Sequence, residues 1–361
     1  MPFDVRDFAD APPGDRASSR QNRRLVATWL LVVAGMILVM IGLGGATRLT
    51  GSGLSIMEWA PFRGTLPPMS EAEWHRLFAL YQKIPQYALV NEGFGLAGFK
   101  QIFWLEWTHR LWGRLIGLAF LVPLVVFWAT GRIERRLIPR LALLFVLGGL
   151  QGAVGWFMVA SGFFPDSTSV SAYRLVVHLV LALSLYAAIL WTAFGLLAPR
   201  PVLSSVPRSL RLGAGLTVGL VSLTIVAGGF VAGTHAGIDY NTFPLMDGRL
   251  VPDGYARLTP FLRNLTENIA AVQFDHRLLA TLTALAALGT LAAGFGARAM
   301  TPLRPRLAVL GLAVAAQYAL GVATLIHVVP VGLATAHQVG ATLVLTAALV
   351  LLHGTRSLPA R

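Results

Sequence analysis

Four of the eight histidines in this chain of 361 residues, His109, His178, His276 and His337, stand where chemistry is expected. Each falls about a turn or so from the start of an apolar stretch long enough to form a helix in lipid, which puts all four at similar depth. An ionisable side chain within such a stretch is costly and usually functional. Taken singly, a helix-end histidine is as often a hydrogen-bonded interfacial residue. Taken as two pairs, each across a four-helix core, with no cysteine in the chain and no second carboxylate cluster, they match two axial imidazoles on a haem iron. Zinc would want a third or fourth ligand at that depth.

The surroundings of two histidines differ in one residue type. Glu-Trp-Thr-His-Arg (106 to 110) aligns with Gln-Phe-Asp-His-Arg (273 to 277), so Glu106 meets Gln273. A side chain three residues before a helical histidine shares its face. Glu106 therefore points at the cavity of His109, where a carboxylate can act as a general base or stabilise developing positive charge. Glutamine has nearly the same shape and cannot exchange a proton, so one half is expected to do chemistry and the other to store or pass electrons. The plainer alternative pairs Glu106 with Arg110 or Arg48. Arg110 and Arg277 directly follow a histidine and could hold haem propionates or simply snorkel to the interface. Gly113-x-x-x-Gly117 and Gly148-x-x-x-Gly152 leave room for a flat macrocycle or for a close helix.

The elements that must position these groups are membrane helices. With 55% hydrophobic and 12% charged residues and a mean hydropathy of +0.67, the chain has too little polar surface for a soluble globule. Eight stretches are long enough to span a hydrocarbon core, roughly 25–45, 106–130, 141–160, 173–196, 211–233, 273–296, 305–327 and 332–353. The net charge of +13 does not point to nucleic acid, because the basic residues sit in short connections between apolar runs. Arg132, Arg135, Arg136 and Arg140, then Arg200 and Arg208, then Arg298 and Arg304 put those connections and both termini in the cytoplasm by the positive-inside rule. The connections 46–105 and 234–272 then lie outside as small caps, over which His109, His178, His276 and His337 enter. The polar tail 1–24 mixes arginines with Asp4, Asp7, Asp10 and Asp15, unlike an acid-poor transit peptide. His75, His327 and His353 have no repeat partner, and His235 opens the second cap, where it could line an entrance.

The halves repeat. Gly44-Gly45, Gly53-Leu54, Trp59, Gly64, Leu66 and Pro68 recur as Gly228-Gly229, Gly237-Ile238, Phe243, Gly248, Leu250 and Pro252 at one constant offset, and Gln151-x-x-x-Gly155 recurs as Gln317-x-x-x-Gly321. The expected fold is all-α integral membrane. Two duplicated four-helix bundles, 25–196 and 197–361, are related by a parallel pseudo-twofold axis.

At these residues the chain resembles the haem A synthase family. The likeness runs through Gly-Gly-Ala-Thr-Arg-Leu-Thr (44 to 50), Ser-Gly-Leu-Ser (52 to 55), Tyr-Gln-Lys-Ile-Pro-Gln-Tyr (81 to 87), the run from Phe99 to Arg114, and Tyr-Asn-Thr-Phe-Pro-Leu-Met-Asp-Gly (240 to 248). It resembles the cysteine-free branch typical of proteobacteria and mitochondria, and the acidic tail favours a bacterial inner membrane. The resemblance implies oxidation of the C8 methyl group of haem O to a formyl group by two successive hydroxylations and loss of water, with water the suspected oxygen source. It also implies a permanent haem b on His276 and His337 in the C-terminal half, with Arg277 beside it. The substrate haem then sits on His109 and His178, with Arg110, in the N-terminal half, and Glu106 is essential. A haem O synthase and cytochrome oxidase assembly factors are the implied partners, membrane lipid surrounds the spans, and a homo-oligomer is left open.

Two other classes compete. A bis-histidine membrane cytochrome b that only moves electrons would carry two permanent haems and not need Glu106. A transporter built from parallel repeats would want broken, charge-lined spans, which this sequence lacks.

Overall fold

The computed structural model describes residues 13–60, 63–198, 206–296 and 298–356. Among them are eleven α-helices, of which eight are long and apolar enough to cross a membrane. The spanning helices are α1 (Pro13–Leu49), α4 (Leu96–Ala129), α5 (Ile138–Val159), α6 (Ala172–Leu197), α7 (Arg208–Gly233), α9 (Ile269–Gly296), α10 (Arg304–Ile326) and α11 (Val331–Gly354). Between them, α2 (Glu71–Tyr81) and α3 (Pro85–Val90) lie in the first long connection and α8 (Asn264–Glu267) in the second.

In lipid the backbone must satisfy itself, so each apolar run becomes a continuous helix. Helices α1, α4, α5 and α6 close into a ring of neighbours in chain order, as do α7, α9, α10 and α11. The rings meet where α1 packs on α11 and α6 packs on α7 and α11. The main apolar core, with Leu30, Leu141 and Ala193 fully buried, is made chiefly by α1, α4, α5 and α6 and extends through Val344, Leu345 and Leu349 of α11. A second core, beside the first at the same end of the bundle, is made by α7, α10 and α11 and holds Leu210, Leu307, Leu310 and Leu351.

One span differs from the sequence reading in a way that matters for the site. Helix α4 begins at Leu96, ten residues ahead of the expected 106, so His109 lies between three and four turns into its helix, not near its start. His178, His276 and His337 each lie about two turns in. The extension has a physical cause. Phe99 and Phe103 on the added turns are buried in the cap with Leu54, Trp74, Leu77, Tyr81 and Ile84, so α4 continues upward because the cap supplies apolar partners where lipid ends. The cap is tied by Ser70, whose side chain accepts from Glu73 N at the start of α2, a bond worth about 1 kcal/mol. Gln86 adds to this by donating to Gly51 O.

Candidate functional site

Each of the four histidines is seated against a glycine of a neighbouring helix in its own ring. A Cβ built on Gly44 of α1 would lie 3.3 Å from His109 Nε2, and one on Gly155 of α5 would lie 2.9 Å from His178 Cε1. On Gly228 of α7 it would meet His276 Cε1 at 3.0 Å, and on Gly321 of α10 His337 Cε1 at 2.7 Å. Any larger residue would push the rings, which explains why the repeated motifs carry glycine at these places.

The pairs come together as expected from sequence. The rings of His276 and His337 stand 6.4 Å apart between centroids at 90°, and His109 and His178 are close enough to interact electrostatically. His276 Nδ1 lies 3.1 Å from Thr224 O, which orients the ring and leaves Nε2 free. Gln151 and Gln317 donate to the backbone oxygens of His178 and His337 at 3.0 and 2.8 Å. Each amide keeps a buried, unpartnered Oε1, and His178 Nδ1 is likewise buried without a partner. Among the described residues no third histidine or carboxylate joins either pair. The arrangement is two pairs of imidazoles, one in each ring of helices. Of the four motif glycines, Gly113 makes a close helix contact, a Cβ there lying 3.3 Å from Met40 of α1, while Gly117, Gly148 and Gly152 have no atom within 4 Å of a built Cβ, the last two on the exposed face of α5.

Glu106 and Gln273 are both 2% exposed and join helix to cap differently. Glu106 Oε2 accepts from Ser55 Oγ at 2.7 Å and Ile56 N at 2.8 Å, while Oε1 accepts from Arg110 Nε at 3.0 Å and forms an ion pair with Arg110 Nη2. Of the two partners suggested by sequence, the structure selects Arg110. Gln273 Nε2 instead donates to Ala236 O and Asp239 O, while its Oε1 accepts from Arg277.

Arg110 and Arg277 are occupied by the protein. Arg110 donates to Ile56 O and Glu58 O, and Arg277 to Tyr240 O and Thr242 O. The two sets of acceptors are at equivalent places in the sequence repeat. The structure thus places both arginines beside their histidines as clamps on the caps. Arg110 also lies 5.6 Å from the ring of Trp156, which stacks on Trp59 at 6.2 Å. These clamps were missed in sequence because their acceptors are loop carbonyls, which any residue type supplies. Ser55 could have been found as the one hydroxyl ending the Ser-Gly-Leu-Ser motif. His75, His235 and His327 are exposed, and His353 is buried at the other end of α11 against Trp191 and Phe194.

Comparison with known sequences bears on this site. The profile of a family described as cytochrome oxidase assembly protein matches residues 27–349. A protein named heme A synthase from Granulibacter bethesdensis is 66% identical over 339 residues, covering 93% of this chain and 89% of the relative. Proteins of the same name from Rhodospirillum centenum and Azorhizobium caulinodans are 52% and 51% identical, covering 94% and 91% of this chain and 90% and 94% of the relatives.

Proposed function

Because this chain belongs to the haem A synthase family of cytochrome oxidase assembly proteins, we propose that it converts haem O to haem A by oxidising the C8 methyl group to a formyl group. Two hydroxylations followed by loss of water account for the product. With water as the oxygen source, the change releases four electrons and four protons, so an electron acceptor is required.

His276 and His337 are the proposed ligands of a resident haem b. The fit rests on their spacing of 6.4 Å, since two imidazoles bonded at about 2 Å to one ion, with about 1 Å from nitrogen to centroid, stand about 6 Å apart. When bound, that haem supplies one-electron redox chemistry. Thr224 O holds the His276 ring, and Gln317 steadies the His337 ring, its Nε2 lying 3.0 Å from His337 Nδ1. His109 and His178 are the proposed ligands of the substrate haem, in the half that carries Glu106.

Glu106 is the proposed catalytic residue. Both its oxygens already accept hydrogen bonds, so of its two possible roles, stabilising positive charge on the reacting methyl carbon suits it better than proton abstraction. Arg110 and Ser55 hold the carboxylate in place for this. Arg110 and Arg277 reach any propionate only through groups not spent on the caps. The setting consistent with this reading is a bacterial inner membrane with both termini cytoplasmic, receiving substrate from a haem O synthase and delivering product to cytochrome oxidase assembly.

The observation that carries the proposal is the glutamate–histidine pair, Glu106 and His109, in one half against Gln273 and His276 in the other. Co-expression with a haem O synthase in a host lacking haem A tests it, with extracted haems compared for wild type and Glu106→Gln. Haem A from wild type and haem O or a hydroxylated intermediate from the variant is the expected result. Untouched haem O together with two tightly held b haems would make the protein an electron-transfer cytochrome instead.

A further inference from the structure

Arg48 stands apart from the other arginines at the outer face. It lies in the last turn of α1, one turn beyond Gly44, the seat of His109. Its Nη1 crosses to α7 and donates to Ala232 O at 2.7 Å, one turn beyond Gly228, the seat of His276. Residues four apart share a helix face, so this guanidinium stands at the seam between the halves, just outside both histidine pairs.

Arg48 is also unspent. Arg110 and Arg277 each make several bonds to the caps, whereas Arg48 makes that single backbone bond, and among the described residues no carboxylate pairs with it. His235, at the exposed opening of the second cap, is near enough to feel its charge. The position equivalent to Arg48 in the second half is Ala232 itself, so the seam has one arginine for two sites. A half-buried cation without a counter-charge is costly unless a ligand supplies one.

We infer that Arg48, with His235 beside it, binds the carboxylate side arms of the haems at the seam, one cation serving both histidine pairs. This rests on the reading of those pairs as haem sites. The shared cation also couples them, since the charge state of one site is felt at the other through the same guanidinium.

The test uses haem-loaded purified protein. Wild type, Arg48→Gln, Arg48→Lys and His235→Leu are compared by the rate of haem loss to an excess of a haem scavenger and by reductive titration of the Soret band. Arg48→Gln keeps a polar side chain but carries no charge. It is expected to lose haem about tenfold faster, the size of one charged hydrogen bond, and to lower the midpoint potential, because removing a cation favours ferric iron. Arg48→Lys should restore most of both, and His235→Leu should move both in the same direction by less. Unchanged haem loss and potential in Arg48→Gln would overturn the inference while leaving the haem reading intact. A wild type without a bis-imidazole haem spectrum would overturn the haem reading and the inference with it.

Discussion

Glu106 and Gln273 hold matching positions three residues ahead of a histidine, yet the loops they face have opposite polarity. Ser55 Oγ and Ile56 N donate to Glu106, whereas Gln273 donates to Ala236 O and Asp239 O. The choice of carboxylate or amide is therefore matched to the cap above it.

Swapping the two residues should fail in both directions. Glu106→Gln removes the partner of Arg110 and can turn N–H groups toward two donors, and Gln273→Glu turns a carboxylate toward two carbonyls. Loss of one member of a buried pair costs about 3 kcal/mol or more, and the other swap leaves buried groups unpaired at about 1 to 3 kcal/mol each. Hydrogen exchange over residues 50–60 and 234–242 should rise in the respective variant, and the double swap should not rescue either. Unchanged protection in both single variants would show that these contacts do not hold the caps.

The glycine seats give a graded series. Gly155→Ala and Gly321→Ala bring a methyl to 2.9 and 2.7 Å from a histidine ring, Gly44→Ala only to 3.3 Å, and Gly148→Ala meets open space. The first two should displace His178 and His337 and, with these as the proposed haem ligands, reduce haem retained on purification severalfold, with Gly44→Ala milder. Gly148→Ala should be neutral, or more stable by up to about 1 kcal/mol from helix propensity. Absorbance at the Soret band per mole of protein reads the series, and equal loss across all four would rule out ring seating as the cause.

Acid should loosen the first cap. Arg76 bridges Glu58 and Glu73, and its hydrogen bonds hold both carboxyls below their ordinary range. A lowered folded value means this stability is present above the unfolded carboxyl value of about 4 and is lost as pH falls through the folded values. All three side chains are more than 40% exposed, so the effect is under about 1 kcal/mol. Proteolysis of the cap should increase below about pH 4 in wild type, and Arg76→Gln should show the increase already at neutral pH. A pH response that persists unchanged in Arg76→Gln would assign it to other groups.

Much of this was legible in the sequence, for reasons the structure makes plain. Hydropathy located the eight spans because lipid leaves an apolar run no alternative to helix, and the repeat register placed His109, His178, His276 and His337 in pairs. The start of α4 was not legible, since Phe99 and Phe103 read as cap residues until the cap core that buries them is known. The roles of Arg110 and Arg277 were hidden because their partners are backbone oxygens of irregular loops. The isolation of Arg48 was equally invisible, being a fact about what its neighbours lack.

The paired glycines make the last prediction. Gly44 seats a histidine of its own half, but Gly45 faces the other half. A Cβ there would lie 2.7 Å from Gln338 Oε1, and Gln338 Nε2 donates to Ile41 O at 2.9 Å. Gly229 likewise meets Val176 at 3.0 Å and Leu179 at 3.3 Å, so the second glycine of each pair lets the halves approach beside His337 and His178. Gly45→Ala should push Gln338 off α1 and cost about 1 to 3 kcal/mol, as overpacking does. Gln338→Ala removes the obstacle along with the hydrogen bond, so the double variant should be more stable than the sum of the singles implies, by about 0.5 kcal/mol or more. Gly229→Ala meets its neighbours at 3.0 Å and beyond, a looser approach than the 2.7 Å at Gly45, and should cost less. Reversible unfolding in mixed micelles reads all four variants, and strict additivity between Gly45→Ala and Gln338→Ala would mean that this contact does not set the spacing of α1 and α11.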